Sequence, residues 1–481
     1  MAAAHGHRDL IGSPQRGPAL PNKAGTHVIY PSSEYSFETH SSRSWWTLVD
    51  LQSGQSSELY PGSSIQYALW LGDGDAVLFT NASSAGGGTD FWIAPRLNER
   101  AGVHRAATVA SPVINLKIHA TTWGEPVTYL FSANARPDGT LYDPTKAVQP
   151  YSSGRVYHSL FVRHWGVYIT PEKSSLFAGT LSVNGGVYTS VSGPRNLLPP
   201  PPSGFETPIP PFGDDGDFDI SADGQFVTFI SKTPTLNPGT NTQSLVYIVP
   251  ADGSKPPYAV NDPGNKHSPP ARGASASPRF SPDGKWIAYL QMAENKYAAR
   301  APLSVLRLTA VPRYESDINR IYVARRSQGA TVSAFSAIAP SWDVSPQDLK
   351  WSADSRSLYS GADNIGRRKL YRIAVDSGHV DEVWGKHSVG SMEFLPKGRL
   401  LLSLSSFTSS PRSYVFDPSK GSLDAVQARP VQEKDLSSSQ VEEFWFPGAD
   451  VKVHGFIIKP SNFNKTSGRK TKMAFIIHGG A

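Results

Sequence analysis

At 481 residues the chain is too long for one ordinary core unless that core is built from repeats. Its 39% hydrophobic and 18% charged residues are globular, 42 Gly and 40 Pro call for many tight turns in a β-rich fold, and the lack of cysteine excludes disulfides, thiol catalysis and zinc–thiolate sites. The formal net charge of +6 is spread along the chain instead of gathered into a stripe, which argues against a nucleic-acid partner.

Residues 1–20 are expected to form a disordered tail. The opening Met1-Ala2-Ala3-Ala4-His5 lacks the apolar run of a secretory signal, and no apolar stretch is long enough to span a membrane. As written, the chain therefore reads as cytoplasmic, with no membrane partner. From Pro21 a phrase recurs: a turn rich in Gly, Asp or Asn, then four or five apolar residues. It is clearest in Ser221–Phe229 and Ser281–Tyr289. Weaker copies lie at Asn22–Tyr30, Gly72–Phe79, Trp123–Phe131, Ser352–Tyr359 and Leu395–Leu402, which makes seven. A turn that needs positive φ explains the Gly, and a packed strand explains the β-branched and aromatic residues that follow. Most copies precede a second strand with its own Asp-Gly or Ser-Gly turn, as in Val246–Gly253 and Leu370–Gly378. Repetition every 40–60 residues or so, with about four strands per unit, predicts a seven-bladed β-propeller over residues 21–436. The alternative is a β-sandwich with coincidental turns.

Two intervals exceed the repeat. One, between Phe131 and Asp219, holds four consecutive prolines and the acidic run Asp214–Asp219. That run lacks the Gly and distal Glu of an EF-hand and is expected to be a solvated loop, so no metal site is expected. The other, residues 298–314, has neither strand nor helix period and looks foreign to its blade. It is either a lid-like insertion or an unspliced intron translated in frame. Asn81-Ala82-Ser83 and Asn464-Lys465-Thr466 match the glycosylation sequon, a pattern that also arises by chance.

After Asp435 the character changes. Val441–Pro460 reads as a β-hairpin around a Gly turn, and Met473–Ile477 as a buried strand running into His478-Gly479-Gly480-Ala481. A strand leading into His-Gly-Gly is how an α/β-hydrolase domain approaches the loop that helps to build its oxyanion hole. Residues 437–481 are thus read as the first strands of such a domain, expected to be poorly ordered without the rest. No Gly-x-Ser-x-Gly nucleophile elbow occurs anywhere in the 481 residues.

This order of elements resembles the prolyl oligopeptidase family of serine peptidases over nearly the whole chain. The strings that carry the likeness are Tyr35–His40, Phe161–Trp165, Glu206–Gly213, Tyr289–Glu294 and Val453–Ile457. The resemblance implies a mainly β chain, a propeller followed by the start of a hydrolase domain. It also implies a serine dipeptidyl peptidase that releases N-terminal dipeptides from short peptides and needs no cofactor. In that family Ser attacks, His is the base, Asp orients it, and the propeller restricts entry. No triad member can be assigned to a residue of this chain, so the 481 residues alone are expected to be inactive. The family's secretory signal is likewise missing, although secretion is what the resemblance implies.

Several candidate site residues follow. His478, Gly479 and Gly480 would begin the oxyanion loop through their backbone, with His478 structural and not a base. Arg163, His164 and Trp165 are candidates for the substrate channel, or else a packed strand edge. The family's next residue, Asp, is Gly166 here. A dipeptidase must hold a free amine, which makes Glu294, Glu315 and Asp317 candidates, the alternative being surface charges on a blade. The competing function is a non-catalytic propeller that binds peptides or a protein partner.

Overall fold

The structure is a computed structural model that describes residues 11–84, 86–148, 151–158, 160–200, 204–237, 239, 243–262, 273–292, 318–327, 329–426, 440–459, 463–468 and 472–477. Seven antiparallel sheets of four or five strands follow one another along the chain, each built from consecutive strands except the third, which a small hairpin interrupts. These are seven propeller blades.

All seven copies of the repeated phrase fall on the turn between the first and second strands of a blade. In blade 5, for example, Ser275–Phe280 turns into Trp286–Met292, and in blade 6 Lys350–Trp351 turns into Ser357–Asn364. The turn has a fixed chemistry. Ser221 Oγ donates to Asp223 Oδ1 and accepts from Phe226 N at 2.9 Å, while Gly224 sits at φ 68°. Ser281 and Asp283 repeat this, with Gly284 at φ 69°. Ser352 and Asp354 repeat it again, but with Ser355 in the left-handed position at φ 58°.

The second strands are the buried ones, because both faces of each blade are covered by neighbours. Seven hydrophobic clusters result, and each spans two successive blades. One joins Leu78 and Phe91 of blade 2 to Tyr129 and Phe177 of blade 3. The ring closes through Val28, Tyr30 and Val49 of blade 1 packed on Leu395 and Leu401 of blade 7. Among the described residues no strand of blade 7 pairs with blade 1; side-chain packing seals that joint, together with a hydrogen bond from Arg16 Nη1 to Pro411 O at 3.5 Å.

Three expectations need correction, and the first long interval, expected as loops around an otherwise ordinary blade, is located. Blade 1 begins before residue 21, because Gln15–Arg16 and Leu20–Pro21 both pair with His27–Ser36. The first long interval is an excursion from 136 to 172 between the second and third strands of blade 3, carrying its own small hairpin, Arg163–His164 on Val167–Tyr168. Met473–Ile477 forms no strand, for it has no partner strand among the described residues, and Phe475, Ile476 and Ile477 are exposed. The expected hairpin does form, Gln440–Pro447 on Lys452–Lys459, and it is docked where poor order was expected. Phe456 packs tilted against Phe407 with ring centres 4.8 Å apart, and Glu443 pairs with Arg367. The interval 298–314 lies outside the described residues. The strands around it pair to their ends, with Met292 opposite Asn319. No helix among the described residues is long and apolar enough to cross a membrane.

Candidate functional site

Alternating strand direction sorts the connections between two ends of the ring. Turns between first and second strands, the repeated ones, share one end, where neighbouring blades touch: Asp283 N donates to Ser355 Oγ at 3.1 Å. Turns between second and third strands, and the links from blade to blade, share the other. On that second end lie Tyr35–His40, the 136–172 excursion and the 197–217 link. The strand ends at Met292 and Asn319 open there as well. The terminal hairpin is docked there too, against Gly366 and Phe407. This loop end therefore gathers the segments that sequence analysis singled out as family-like.

Between blades 3 and 4 it forms a cleft of about 700 Å³. Its walls come from the excursion (Tyr157, Phe161, His164), the 204–210 segment (Glu206, Ile209) and the end of the second strand of blade 4 (Lys232). Phe161 and His164 pack ring to ring at 4.8 Å, and Lys232 Nζ lies 5.6 Å from the Phe161 ring centre. Lys173 faces Glu206 at 3.6 Å, with both side chains partly exposed. An apolar groove with two lysines, Lys173 and Lys232, and the Glu206 carboxylate at its rim can take a short peptide, apolar side chain inward and charged termini on these groups. A second hollow of about 830 Å³ opens on the same end between blades 1 and 2, lined by Trp45, Trp46, Tyr67 and Arg16.

Of the predicted site residues, His164 lines the cleft. Arg163 is exposed, and Trp165, at φ 46°, packs edge to face with Phe212, ring centres 5.1 Å apart, outside the cleft lining. Glu294, Glu315, Asp317, His478, Gly479 and Gly480 lie outside the described residues. Asn81 accepts a hydrogen bond from Trp92 Nε1 at 2.9 Å within blade 2. Asn464 is exposed and caps a single turn through Thr466. Sequence reasoning missed Lys173, Glu206 and Lys232 as site residues, because only the tertiary fold brings blade 3 and blade 4 together. The string Glu206–Gly213 was the one available signal.

The acidic run is also not the solvated loop expected. Arg279 Nη1 donates to Gly216 O at 2.9 Å, and Lys117 Nζ donates to Phe218 O at 2.7 Å. Asp219 accepts from Phe280 N at 2.9 Å, and Asp217 accepts from Ile209 N at 2.8 Å. Burial pushes the Asp217 carboxyl up to about 6 and the Lys117 ammonium down to about 8. At the hairpin, the hydrogen bond from Arg367 holds the Glu443 carboxyl below its usual range, with His454 Nε2 3.3 Å away.

No family model matches the chain. In sequence it is 35% identical over 486 residues to a probable dipeptidyl-peptidase 5 of Aspergillus niger, a match over 98% of this chain and 63% of that protein. It is 34% identical to a probable dipeptidyl-peptidase 5 of Arthroderma benhamiae, with 98% and 62% covered. The chain thus spans less than two thirds of the length of these relatives. In structure it resembles an acylaminoacyl peptidase from Pyrococcus horikoshii (TM-score 0.58, 12% identity, 94% of this chain and 59% of that one). It also resembles the propeller domain of the trilobed protease of Pyrococcus furiosus (TM-score 0.51, 11% identity, 86% and 95% covered). At such identities the structural matches speak to the fold alone, and that fold is the propeller of these peptidases.

Proposed function

We propose, taking the chain as a relative of the fungal dipeptidyl-peptidases 5 within the prolyl oligopeptidase family, that these residues are the peptide-admitting part of a serine dipeptidyl peptidase. The observation that carries the reading is one of placement. The family-like strings, a peptide-sized cleft and the docked terminal hairpin share a single end of the propeller. In this reading short peptides reach the chemistry across the loop end. The cleft sorts them by size and by apolar character, and the ion pair Lys173–Glu206 orients their termini. Attack by Ser, proton transfer through His and orientation by Asp would be supplied by the part of the relatives' length that this chain does not match.

A second reading rests on the cleft alone, which can hold a short peptide without any chemistry beside it. It makes the chain a propeller that binds peptides without cleaving them. Protein purified from the native locus, given a dipeptidyl chromogenic substrate, separates the two. Release of dipeptide, blocked by a serine-directed fluorophosphonate, supports the peptidase. Peptide binding without release supports the second reading and overturns the first. The 481 residues by themselves are expected to release nothing.

A further inference from the structure

The segment from Gly204 to Gly213 is the cleft wall that carries Glu206, Ile209 and Pro210. It is tied down at both ends. At the near end Glu206 N donates to Ser231 Oγ at 3.1 Å, Thr207 N donates to Ser174 O at 3.1 Å, and Ser174 Oγ donates to Thr207 O at 3.2 Å. At the far end the ties converge on one side chain. Asp217 Oδ2 accepts from Ile209 N at 2.8 Å, and the turn it closes is so tight that Gly213 N donates to Ile209 O at 2.8 Å. A Cβ at Gly213 would lie 2.3 Å from Ile209 N and 2.5 Å from Asp217 Oδ2, so only glycine fits beneath the carboxylate.

We propose that Asp217 is the positioning residue of the cleft: its carboxylate, by accepting the Ile209 N–H, fixes the far part of the wall, Ile209 and Pro210, and neutralising it frees that part. The proposal rests on the reading that peptides are handled at this end, but the tie itself is a property of the fold. A charged acceptor holds a backbone N–H more firmly than a neutral one. Burial raises the Asp217 carboxyl to about 6, so this exchange falls within an ordinary pH range. The groups that face it are Asp214 and Asp215 from its own turn and Arg279 from the inner strand of blade 5. Asp214 is already engaged with Gly216 N at 2.7 Å, and a guanidinium stays charged throughout. Among these groups Asp217 is the one whose carboxyl burial raises. A half-buried carboxylate kept ionised against its burial is also what a residue retained for a task looks like.

The test is hydrogen exchange of the segment 205–213 in the whole chain at pH 7.5 and pH 5.0, corrected for the intrinsic chemistry. In the wild type, protection should fall by about tenfold at the lower pH, the difference between a charge-assisted and a neutral hydrogen bond. In Asp217→Asn, which keeps an acceptor but no charge, protection should be low and equal at the two values. Gly213→Ala should open the segment at both. A wild-type segment equally protected at both pH values overturns the proposal, and so does a pH response that survives in Asp217→Asn. Failure of the protein to bind or cleave peptides would count against the peptide reading alone, since exchange of the wall does not depend on a ligand.

Discussion

Replacing Lys117 by Met should make the protein more stable at neutral pH, although it deletes a 2.7 Å hydrogen bond to Phe218 O. The ammonium is enclosed at the meeting of blades 3, 4 and 5, with Arg279 adding repulsion and Asp219 and Asp215 giving only partial relief. Burial brings it down from 10.5 to about 8. A group whose folded value is depressed below its unfolded one binds fewer protons when folded, so for this cation stability rises as pH climbs from about 8 to about 10.5. Held charged at pH 7, it costs about 3 kcal/mol by that linkage. Its hydrogen bond returns about 1 kcal/mol, and Phe218 O keeps Arg279 as a donor at 3.4 Å. Lys117→Met, similar in volume, should therefore gain about 2 kcal/mol at pH 7, and the gain should shrink toward zero by about pH 10. Urea unfolding of both proteins at the two pH values measures it. A variant less stable than wild type at pH 7, or a gap that does not close with rising pH, would refute the reasoning.

Two further outcomes follow from single positions. Ser355 occupies at φ 58° the place that Gly224 and Gly284 fill at φ 68° and 69°. Ser355→Gly should match or exceed wild-type stability by about 0.5 kcal/mol, after loss of the bond from Asp283 N, whereas Ser355→Val should lose about 1–2 kcal/mol. Urea midpoints in the reverse order would contradict this account of the turn. Phe456 fixes the terminal hairpin through Phe407 and through contact with Gly366, where a Cβ would lie 2.4 Å from its ring. Phe456→Ala should remove about 2 kcal/mol of docking and expose residues 440–459 to limited proteolysis while the blades stay intact. An unchanged cleavage rate would show that the Arg367–Glu443 pair suffices.

The ring was legible because each blade repeats one demand: a turn needing φ above zero, followed by a strand covered on both faces. Ser281–Tyr289 states that demand in nine residues, and its weaker copies follow it closely enough to be counted. The start of blade 1 was not legible. Gln15–Arg16 and Leu20–Pro21 are pairs of residues among Gly and Pro, too short to show a period of two. The role of Asp214–Asp219 was hidden for another reason. A run of carboxylates looks solvated until the fold places Lys117 and Arg279, about 100 and 60 residues away, beside its backbone. The site was legible in the same measure. His164 could be named from its string, but Lys173, Glu206 and Lys232 face one another only once blades 3 and 4 are stacked.

Photo-crosslinking tests the central claim, that peptides are handled at the loop end, most directly. A short peptide with a free amine and a photoreactive apolar side chain would be irradiated with the intact protein and the labelled segments identified by mass spectrometry. Labelling should concentrate in 156–173, 204–210 and 232–237 and be displaced by excess unlabelled peptide. Labelling of the repeated turns around Gly224, Gly284 and Ser355, or scattered evenly over both ends of the ring, would contradict the assignment.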